Sequence, residues 1–273
     1  MTVAVLLIAL LAPALATAGS ISISISPVVE VRDGKLTGTV QVTNSGDEAA
    51  HAVAPVLRFR DQEIRGEGRD ALGPNQSMKS ALALPVGDLK PGRWPYRLSV
   101  DYADANQYPF QALHVGSVLV GSVPPSKVSV TAVKADPLAG SGSLSVKLKN
   151  LSAVARDVSI MVVVPEGVEV SDPVETVALA PWAETSVSAR LVNRTALAGS
   201  RYPVFIAAEY DEDAAHQAAI GQGVLEISNP RSFFQQQKNL LWVLAGVVVV
   251  AWMGFLTWQL ATGRARRATP PRP

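Results

Sequence analysis

Hydrophobic and polar positions alternate through most of the chain. The clearest case is residues 21–26, where isoleucine and serine alternate strictly. A period of two with β-branched residues is typical of a strand with one solvated face. Pro27 is expected to end this strand or to confine it to a sheet edge. Turn signals such as Asp33-Gly34 recur at intervals of about ten residues, so the pattern predicts short antiparallel strands without a helical period.

Two sets of such strands follow one another along the chain. The first set is predicted at 21–26, 35–43, 52–59, 77–84, 94–102 and 108–120, with a short edge strand in the polar stretch 60–70. The second is predicted at 127–133, 143–149, 157–164, 168–170, 174–179, 184–192, 202–210 and 217–227. The continuous apolar run 160–164 predicts a central strand that is more buried than its neighbours. The fold class expected is all-β, with two tandem antiparallel immunoglobulin-like β-sandwiches at 19–122 and 127–228.

An internal repeat relates the two sets. Residues 41–45 match 147–151, Leu72-Gly73-Pro74 matches Leu179-Ala180-Pro181, and 100–104 match 208–212. A repeat of about one hundred residues indicates tandem domains, because solenoid units are far shorter. Pro124-Pro125 stiffens the linker between them. Tyr102 and Tyr210, each flanked by acidic residues, are expected to pack their rings inward with the hydroxyl near a corner.

Residues 240–260 form an apolar run of another kind, with no charged residue. About twenty apolar residues in a helix span the roughly 30 Å hydrocarbon core of a bilayer. The run predicts a transmembrane helix from Leu240 to Leu260, with Trp242 and Trp258 near its two ends. Residues 229–239 are expected to be a juxtamembrane stalk and 261–273 a basic cytoplasmic tail. The topology is set by the arginines that follow the run, which are Arg264, Arg266 and Arg267.

The N-terminus carries a shorter apolar run that ends in a small-x-small pattern at Ala16-Thr17-Ala18. It predicts a secretory signal peptide over residues 1–18, although no Lys or Arg precedes it. An uncleaved anchor is the alternative. Both interpretations place the strands outside the cytoplasm, in the periplasm or the extracellular space, and the C-terminus inside.

Composition narrows the classes of chemistry. The net charge is only +1, so the charge of the chain does not indicate a nucleic-acid partner. Cysteine is absent, which excludes disulfides, thiolate metal sites and a thiol nucleophile in this sequence. Three histidines leave little material for a histidine-built metal site, and His114 and His216 are expected to be ordinary strand residues. No cofactor is expected.

The order of turns resembles a known class of module. In each half, a strand precedes an Asn-led turn, a Leu-x-Pro turn precedes the next strand, and Pro-Gly or Ala-Gly precedes a tyrosine-bearing strand. This order resembles CARDB modules, the cell-adhesion-related domains found in bacteria, and covers about 28–228 as two copies. The resemblance implies a spacer, adhesion unit or stalk, and no family active site.

Acidic residues near the end of the second set are the densest candidates for a site. Glu209, Asp211 and Asp213 could supply some of the oxygen ligands that calcium takes, although their spacing matches no EF-hand. A solvated hairpin turn is the alternative. Asp101 with Asp104, and Glu209 with Asp213, are also weighed as acid–base pairs of a glycoside hydrolase, but nothing in the sequence predicts a groove between them.

These patterns together predict a non-catalytic, single-pass protein of the cytoplasmic membrane. Its two sandwiches would serve adhesion, scaffolding or the binding of a protein or polysaccharide of the cell envelope. One alternative is an accessory subunit of a membrane protein complex, recognised through the helix and the second sandwich. A further alternative is a carbohydrate-active enzyme or its binding module. The partners expected are the lipid bilayer and an envelope protein or polysaccharide.

Overall fold

The computed structural model describes residues 19–229, 242–244, 246–255 and 258. The first half of the described chain forms eight strands. They are β1 (Ile23–Arg32), β2 (Lys35–Asn44), β3 (Ala50–Phe59), β4 (Gln62–Arg65), β5 (Arg69–Leu72), β6 (Ser77–Pro85), β7 (Gly92–Ala103) and β8 (Pro109–Val120). The polar stretch 60–70 therefore takes part in two short strands, where a single one was predicted. The alternation of the sequence matches the strands: in β6 alternate side chains are buried, and in β1 alternate side chains are half-buried.

The second half adds eight more strands. They are β9 (Val128–Ala135), β10 (Ser141–Asn150), β11 (Arg156–Val163), β12 (Val168–Asp172), β13 (Thr176–Leu179), β14 (Glu184–Asn193), β15 (Arg201–Glu212) and β16 (Ala215–Glu226). The all-β prediction is confirmed for the sheet-forming part of the chain.

Each half is a β-sandwich with its own core. In the first, the sheet β1-β2-β6 packs on β7, which lies between β8 and β3. Leu36, Leu57 and Leu98 are fully buried between these layers. In the second, the sheet β12-β14-β10-β9 packs on β13-β11-β15-β16 around Leu144 and Ile206. Burial of such leucines stabilises each half by about 1.5–3 kcal/mol per side chain.

The repeat seen in the sequence corresponds to a buried asparagine at the same turn in each half. Asn44 is fully buried and donates through Nδ2 to the carbonyl oxygens of Glu48 (2.8 Å) and Leu72 (3.0 Å). Asn150 is also fully buried and donates to the carbonyls of Val154 (2.7 Å) and Leu179 (3.3 Å). The Asn-led turn and the Leu-x-Pro turn therefore contact each other, and one side chain joins them in both sandwiches.

The two repeated tyrosines differ in their surroundings. The Tyr210 ring is buried, and its hydroxyl accepts a hydrogen bond from the backbone N–H of Lys127 (2.7 Å). This confirms the corner position expected for it, and the bond ties the linker to the second sandwich. Tyr102 is half-buried and stacks on Phe110 with ring centroids 5.6 Å apart. Burial raises the pKa of the Tyr102 hydroxyl to about 12.

Two strand predictions can be compared directly with the sheets. Pro27 lies inside β1, which is an edge strand of its sheet, so the edge alternative is the one observed. The run 160–164 was predicted to be a central strand that is more buried than its neighbours. β11 does lie between β13 and β15, but its burial alternates, so the prediction of greater burial is wrong. Met161 is 40% exposed, because one face of β11 packs in the second core while the other faces a cleft beside the first sandwich.

The end of the second sandwich is held on two sides. The Ile227 N–H donates to the Ser200 carbonyl (2.9 Å), and the Ile227 carbonyl accepts from the Gly199 N–H (2.6 Å). The neighbouring Glu226 carbonyl accepts from the Leu138 N–H (2.8 Å). Residues 19–227 form one compact unit, and the described residues from Ser228 onward belong to a second.

Both predicted targeting segments extend beyond the described residues. The signal peptide at 1–18 lies wholly outside them. Within 240–260, residues 242–244, 246–255 and 258 are described, and they are helical. No helix in the described part of the chain combines the length and the apolar character that a bilayer crossing requires.

Candidate binding site at the junction of the two sandwiches

The acidic residues proposed as calcium ligands lie on the hairpin that joins β15 to β16. Glu209 Oε2 lies 3.1 Å from His216 Nε2, and Asp211 Oδ1 lies 2.9 Å from His216 Nδ1. Asp211 Oδ2 also accepts from Lys90 Nζ (3.3 Å) of the first sandwich. Asp213 lies in the turn with a positive φ of 54°. Two of the three candidates therefore bind one imidazole between them.

The remaining acid of this segment, Glu212, lies beside the corner at which the Tyr210 hydroxyl binds the backbone of Lys127. Its Oε1 accepts from Arg156 Nη2 (2.6 Å) and Lys127 Nζ (2.8 Å). These hydrogen bonds, with Lys127 the stronger influence, hold the pKa of Glu212 below its usual value. The Arg156 guanidinium also lies over the Tyr210 ring. Among the residues that the structure describes, no group of three or more potential ligands is arranged to hold a metal ion.

The carboxylates weighed as glycosidase pairs also have local partners. Asp101 accepts from Arg65 (2.9 Å) and from Gln111 (2.9 Å). Asp104 Oδ1 accepts from the backbone N–H groups of Asn106 (2.8 Å) and Tyr108 (2.9 Å), so it stabilises the turn between β7 and β8. These contacts give Asp101 and Asp104 structural roles within the first sandwich.

The two sandwiches join where the start of β7 meets the start of β16. The His216 N–H donates to the Pro91 carbonyl (2.9 Å), and Gly92 pairs with His216 in a parallel bridge. The Trp94 ring stacks on the His216 ring with centroids 3.9 Å apart and planes 18° apart. His216 was expected to be an ordinary strand residue, and instead it lies at the centre of the contact between the sandwiches.

A small apolar cluster continues this contact. Leu113 and Val115 of β8 pack against Val163 of β11 and Phe205 of β15, and all four are buried. The linker is held as well, because Gln217 Nε2 donates to the Pro124 carbonyl (3.3 Å). Apolar burial and backbone hydrogen bonds therefore hold the sandwiches against each other. We name the region of His216, Trp94 and this apolar cluster the junction.

The stability of the junction is expected to depend on pH through His216. Burial acts to lower the pKa of His216, but the hydrogen bonds to Glu209 and Asp211 outweigh it and raise the pKa above the ordinary value. A raised folded-state pKa contributes stability that is fully present below the unfolded value of about 6.5 and is lost as pH rises through the folded pKa. Urea unfolding between pH 5.5 and 8 should therefore show less stabilisation from His216 at the higher pH.

His114 requires a control in that experiment. It is half-buried beside Phe205, and burial lowers its pKa, so its contribution has the opposite sign. The stability of the protein should therefore be compared with that of His216→Gln at each pH. The difference between the two is expected to shrink as pH rises above about 6.5. A difference that stays constant across this range would contradict the assignment.

An arginine-lined cavity of about 200 Å³ opens beside the junction. We name it the arginine cleft and define it by Arg58, Arg60, Arg97, Trp94 and Met161. The Arg60 guanidinium lies 5.6 Å from the centre of the Trp94 ring. Arg58 binds the carboxylate of Glu63, and Arg97 Nη2 donates to Gln111 (3.2 Å). Both sandwiches supply its walls, since Met161 belongs to β11 and the arginines to β3, β7 and the turn after β3.

A second cavity, of about 280 Å³, lies at another part of the boundary and is rich in aromatic side chains. Tyr108 and Phe110 pack with centroids 5.1 Å apart, and Tyr202 of the second sandwich also lines the space. The Tyr108 hydroxyl donates to the Thr195 carbonyl (3.1 Å), which adds a further link between the sandwiches. This bond makes Tyr108 a bridging residue.

The residues proposed for the membrane anchor are described in part. Trp242 is 70% exposed and Trp258 is 62% exposed on the helical residues. Leu240, Leu260, Arg264, Arg266 and Arg267 lie outside the described residues. The anchor and its topology therefore stay predictions.

The arginine cleft was not anticipated from the sequence. Its arginines come from two separate segments, 58–60 and position 97. The stretch 58–70 mixes basic with acidic residues in equal number, so it shows no net positive charge along the chain. A usable signal was present at Arg58 and Arg60, where basic residues flank a buried Phe59 at the end of a strand. Nothing local links them to Met161.

Comparisons with known proteins reveal only remote likeness. No family model matches the chain, and no curated protein matches it. Among solved structures, a Salmonella alpha-2-macroglobulin mutant aligns at 11% identity and a TM-score of 0.30, over 77% of this chain and 16% of that one. A red sea bream transglutaminase aligns at 13% and 0.29, over 77% and 31%. The YadV chaperone aligns at 11% and 0.28, over 74% and 99%.

The chain thus spans less than a third of the length of the first two of these structures. Their TM-scores are too low to assign a fold family or an activity. Because no family model matches, the resemblance to CARDB modules stays a prediction.

Proposed function

We propose that this chain is a non-catalytic, single-pass envelope protein. It presents two docked immunoglobulin-like sandwiches outside the cytoplasmic membrane, where they bind or scaffold another envelope component. The observation that supports this most directly is the apolar surface of the described helical residues, which are 242–244, 246–255 and 258. Trp242, Val250 and Trp252 are each 63% exposed or more. Side chains of this kind are costly to hydrate, and a lipid environment removes that cost.

The contact between the sandwiches supports a presenting role. Two domains joined by a linker alone would move independently, whereas here His216, Trp94 and an apolar cluster hold them together. A surface built from both sandwiches then keeps its shape. This property suits a scaffold or a binding module. Of the acidic residues weighed as acid–base pairs, Glu209, Asp101 and Asp104 are occupied in local contacts.

Charges placed in the helix are expected to release the protein from membranes. The change is Val248→Asp with Val249→Asp, at two positions that are more than half exposed. Each aspartate at the centre of a membrane helix costs about 2.5–3.5 kcal/mol on insertion. Fractionation of cells expressing the full chain should find the original protein in the membrane pellet and the double variant largely outside it.

Val154→Asp is the matched control, because Val154 is 61% exposed in a turn of the second sandwich. It should stay in the pellet. Orientation is tested separately with a reporter that is active only outside the cytoplasm, fused after Ile227 and, in a second strain, after Pro273. Activity is expected for the first fusion alone. Release of the unmodified protein by a salt wash, or activity of the second fusion alone, would overturn the proposal.

A further inference from the structure

We infer that the arginine cleft binds an acidic segment of a partner protein in an extended conformation. The inference deepens the proposed function, on which it rests in one respect: the sandwiches must present a binding surface. It adds the place of binding and the chemical class of the partner.

The charge of the cleft is the first reason. Among residues 19–229, Arg60 and Arg97 have no carboxylate oxygen within ion-pair distance, while Arg58 is paired with Glu63. Burial lowers the pKa of Arg97, and the neighbouring charge of Arg58 lowers it further, although the charges of Asp101, Glu63 and Glu166 act against this. Arg60 and Arg97 therefore both line the cavity without an ion-pair partner among the described residues, and Arg97 donates only to the neutral amide of Gln111.

The acidic residues near the cleft do not pair with Arg60 or Arg97. Glu209 lines the cavity, but its carboxylate is held by His216 (3.1 Å). Asp101 is held by Arg65 (2.9 Å) and Gln111. A carboxylate supplied from outside is therefore the group that complements the site, and guanidinium binds carboxylate through directed, charge-assisted hydrogen bonds.

The walls of the cleft favour a peptide as the source of that carboxylate. The lining includes Met161, Val162, Val163 and Pro95, which offer apolar contacts beside the arginines. Met161 is 40% exposed, and such flexible thioethers accept varied apolar side chains. The Trp94 face is already covered by His216 on one side and approached by Arg60, so it is not an open platform for a sugar ring.

Unpaired strand edges give the second reason for a peptide. The pairing of β13 with β11 ends at Ser159, so within the described chain Met161–Val163 pair with β15 alone. The pairing of β3 with β7 ends at Arg97, so 94–96 pair with β8 alone. Backbone groups of the β11 edge can add hydrogen bonds to an extended chain, the mode of recognition known as β-augmentation. On the β7 edge Pro95 has no N–H, so it offers only its carbonyl oxygen as an acceptor.

The test uses the full-length chain purified in mild detergent and a fluorescein-labelled octapeptide of alternating glutamate and valine. A second octapeptide carries glutamine in place of each glutamate. Fluorescence anisotropy should show saturable binding of the acidic peptide and binding about tenfold weaker, or weaker still, for the neutral one. Arg60→Gln combined with Arg97→Gln should weaken binding of the acidic peptide by about tenfold or more.

Arg69→Gln is the matched control, because Arg69 is an exposed arginine of the same sandwich on β5, outside the cleft. It should leave binding unchanged. Arg60→Gln alone is measured as well, since Arg60 is exposed and its loss spares the Arg97 contact with Gln111. It should weaken binding about threefold to tenfold. Thermal scans show whether each variant is folded.

Three results would overturn the inference. They are absence of saturable binding to the unmodified chain, equal binding by Arg60→Gln, and tighter binding of a galacturonate tetramer than of the acidic peptide. The last would identify an anionic polysaccharide as the occupant. Membrane fractionation is independent of all three, so retention in the membrane without peptide binding removes this inference and leaves the proposed function standing.

Discussion

Replacing Gly92 with alanine is expected to separate the two sandwiches while leaving both cores folded. A Cβ at position 92 would lie 2.1 Å from the carbonyl oxygen of His216 and 2.8 Å from its nitrogen. These are backbone atoms, so no side-chain rotation can relieve the clash. The His216 bond to Pro91 and the Trp94 stack would then be lost together, because both depend on this approach.

Amide hydrogen exchange measures this outcome directly. The His216 N–H should exchange about tenfold faster or more in Gly92→Ala, since its protection depends on the bond to Pro91. Core amides such as those of Leu98 and Ile206 should keep their protection. Gly140→Ala is the control, because a Cβ there meets nothing within 4 Å. Unchanged exchange at His216 would mean that the sandwiches do not dock through this strand.

Replacing Asn150 with alanine is expected to be the most destabilising single change in the second sandwich. Asn150 Nδ2 donates to Val154, Leu179 and Ala180, and its Oδ1 accepts from the backbone and hydroxyl of Ser152. Truncation leaves several buried polar groups without partners, at about 1–3 kcal/mol each before relaxation. We expect a loss of about 3 kcal/mol or more in the free energy of unfolding.

The internal repeat provides one comparison for this variant, and an exposed turn asparagine provides a control. Asn44→Ala should destabilise the first sandwich in the same way, because Asn44 makes the corresponding bonds to Glu48 and Leu72. Asn106→Ala removes an exposed turn asparagine and should change the free energy of unfolding by less than about 0.5 kcal/mol. Denaturant unfolding, followed by circular dichroism, measures all three. Equal stability of Asn150→Ala and Asn106→Ala would show that the hydrogen bonds of Asn150 do not stabilise the second sandwich.

The sequence allowed the strands to be predicted because each strand is determined locally. Alternation over 21–26 and 35–43 specifies which face is buried, and Asp33-Gly34 specifies the turn between them with two positive φ values. Tyr210 was also predictable, since the acids that flank it indicate a strand end near solvent. The repeat identified Asn44 and Asn150 as equivalent, but their burial depends on carbonyls that lie about thirty residues away in sequence.

The junction could not be predicted in this way. Trp94 and His216 lie in different sandwiches, and neither has a local pattern that indicates a stacked pair. The exposure of Met161 was not predicted either. An apolar run has the same sequence pattern whether its second face packs in a core or lines a cleft. The arginine cleft could not be predicted for both reasons. Its arginines come from the first sandwich, and the apolar residues Met161–Val163 of its wall come from the second.

The way in which β16 ends has a mechanical consequence. This strand pairs with β15 along its whole length, contacts the first sandwich at His216, and is fastened at Ile227 by Gly199 and Ser200. Tension applied through the residues after Ile227 and directed along the strand would load these ladder bonds in shear, all at once. A protein pulled by its tail would therefore resist extension at the strand that also holds its two halves together.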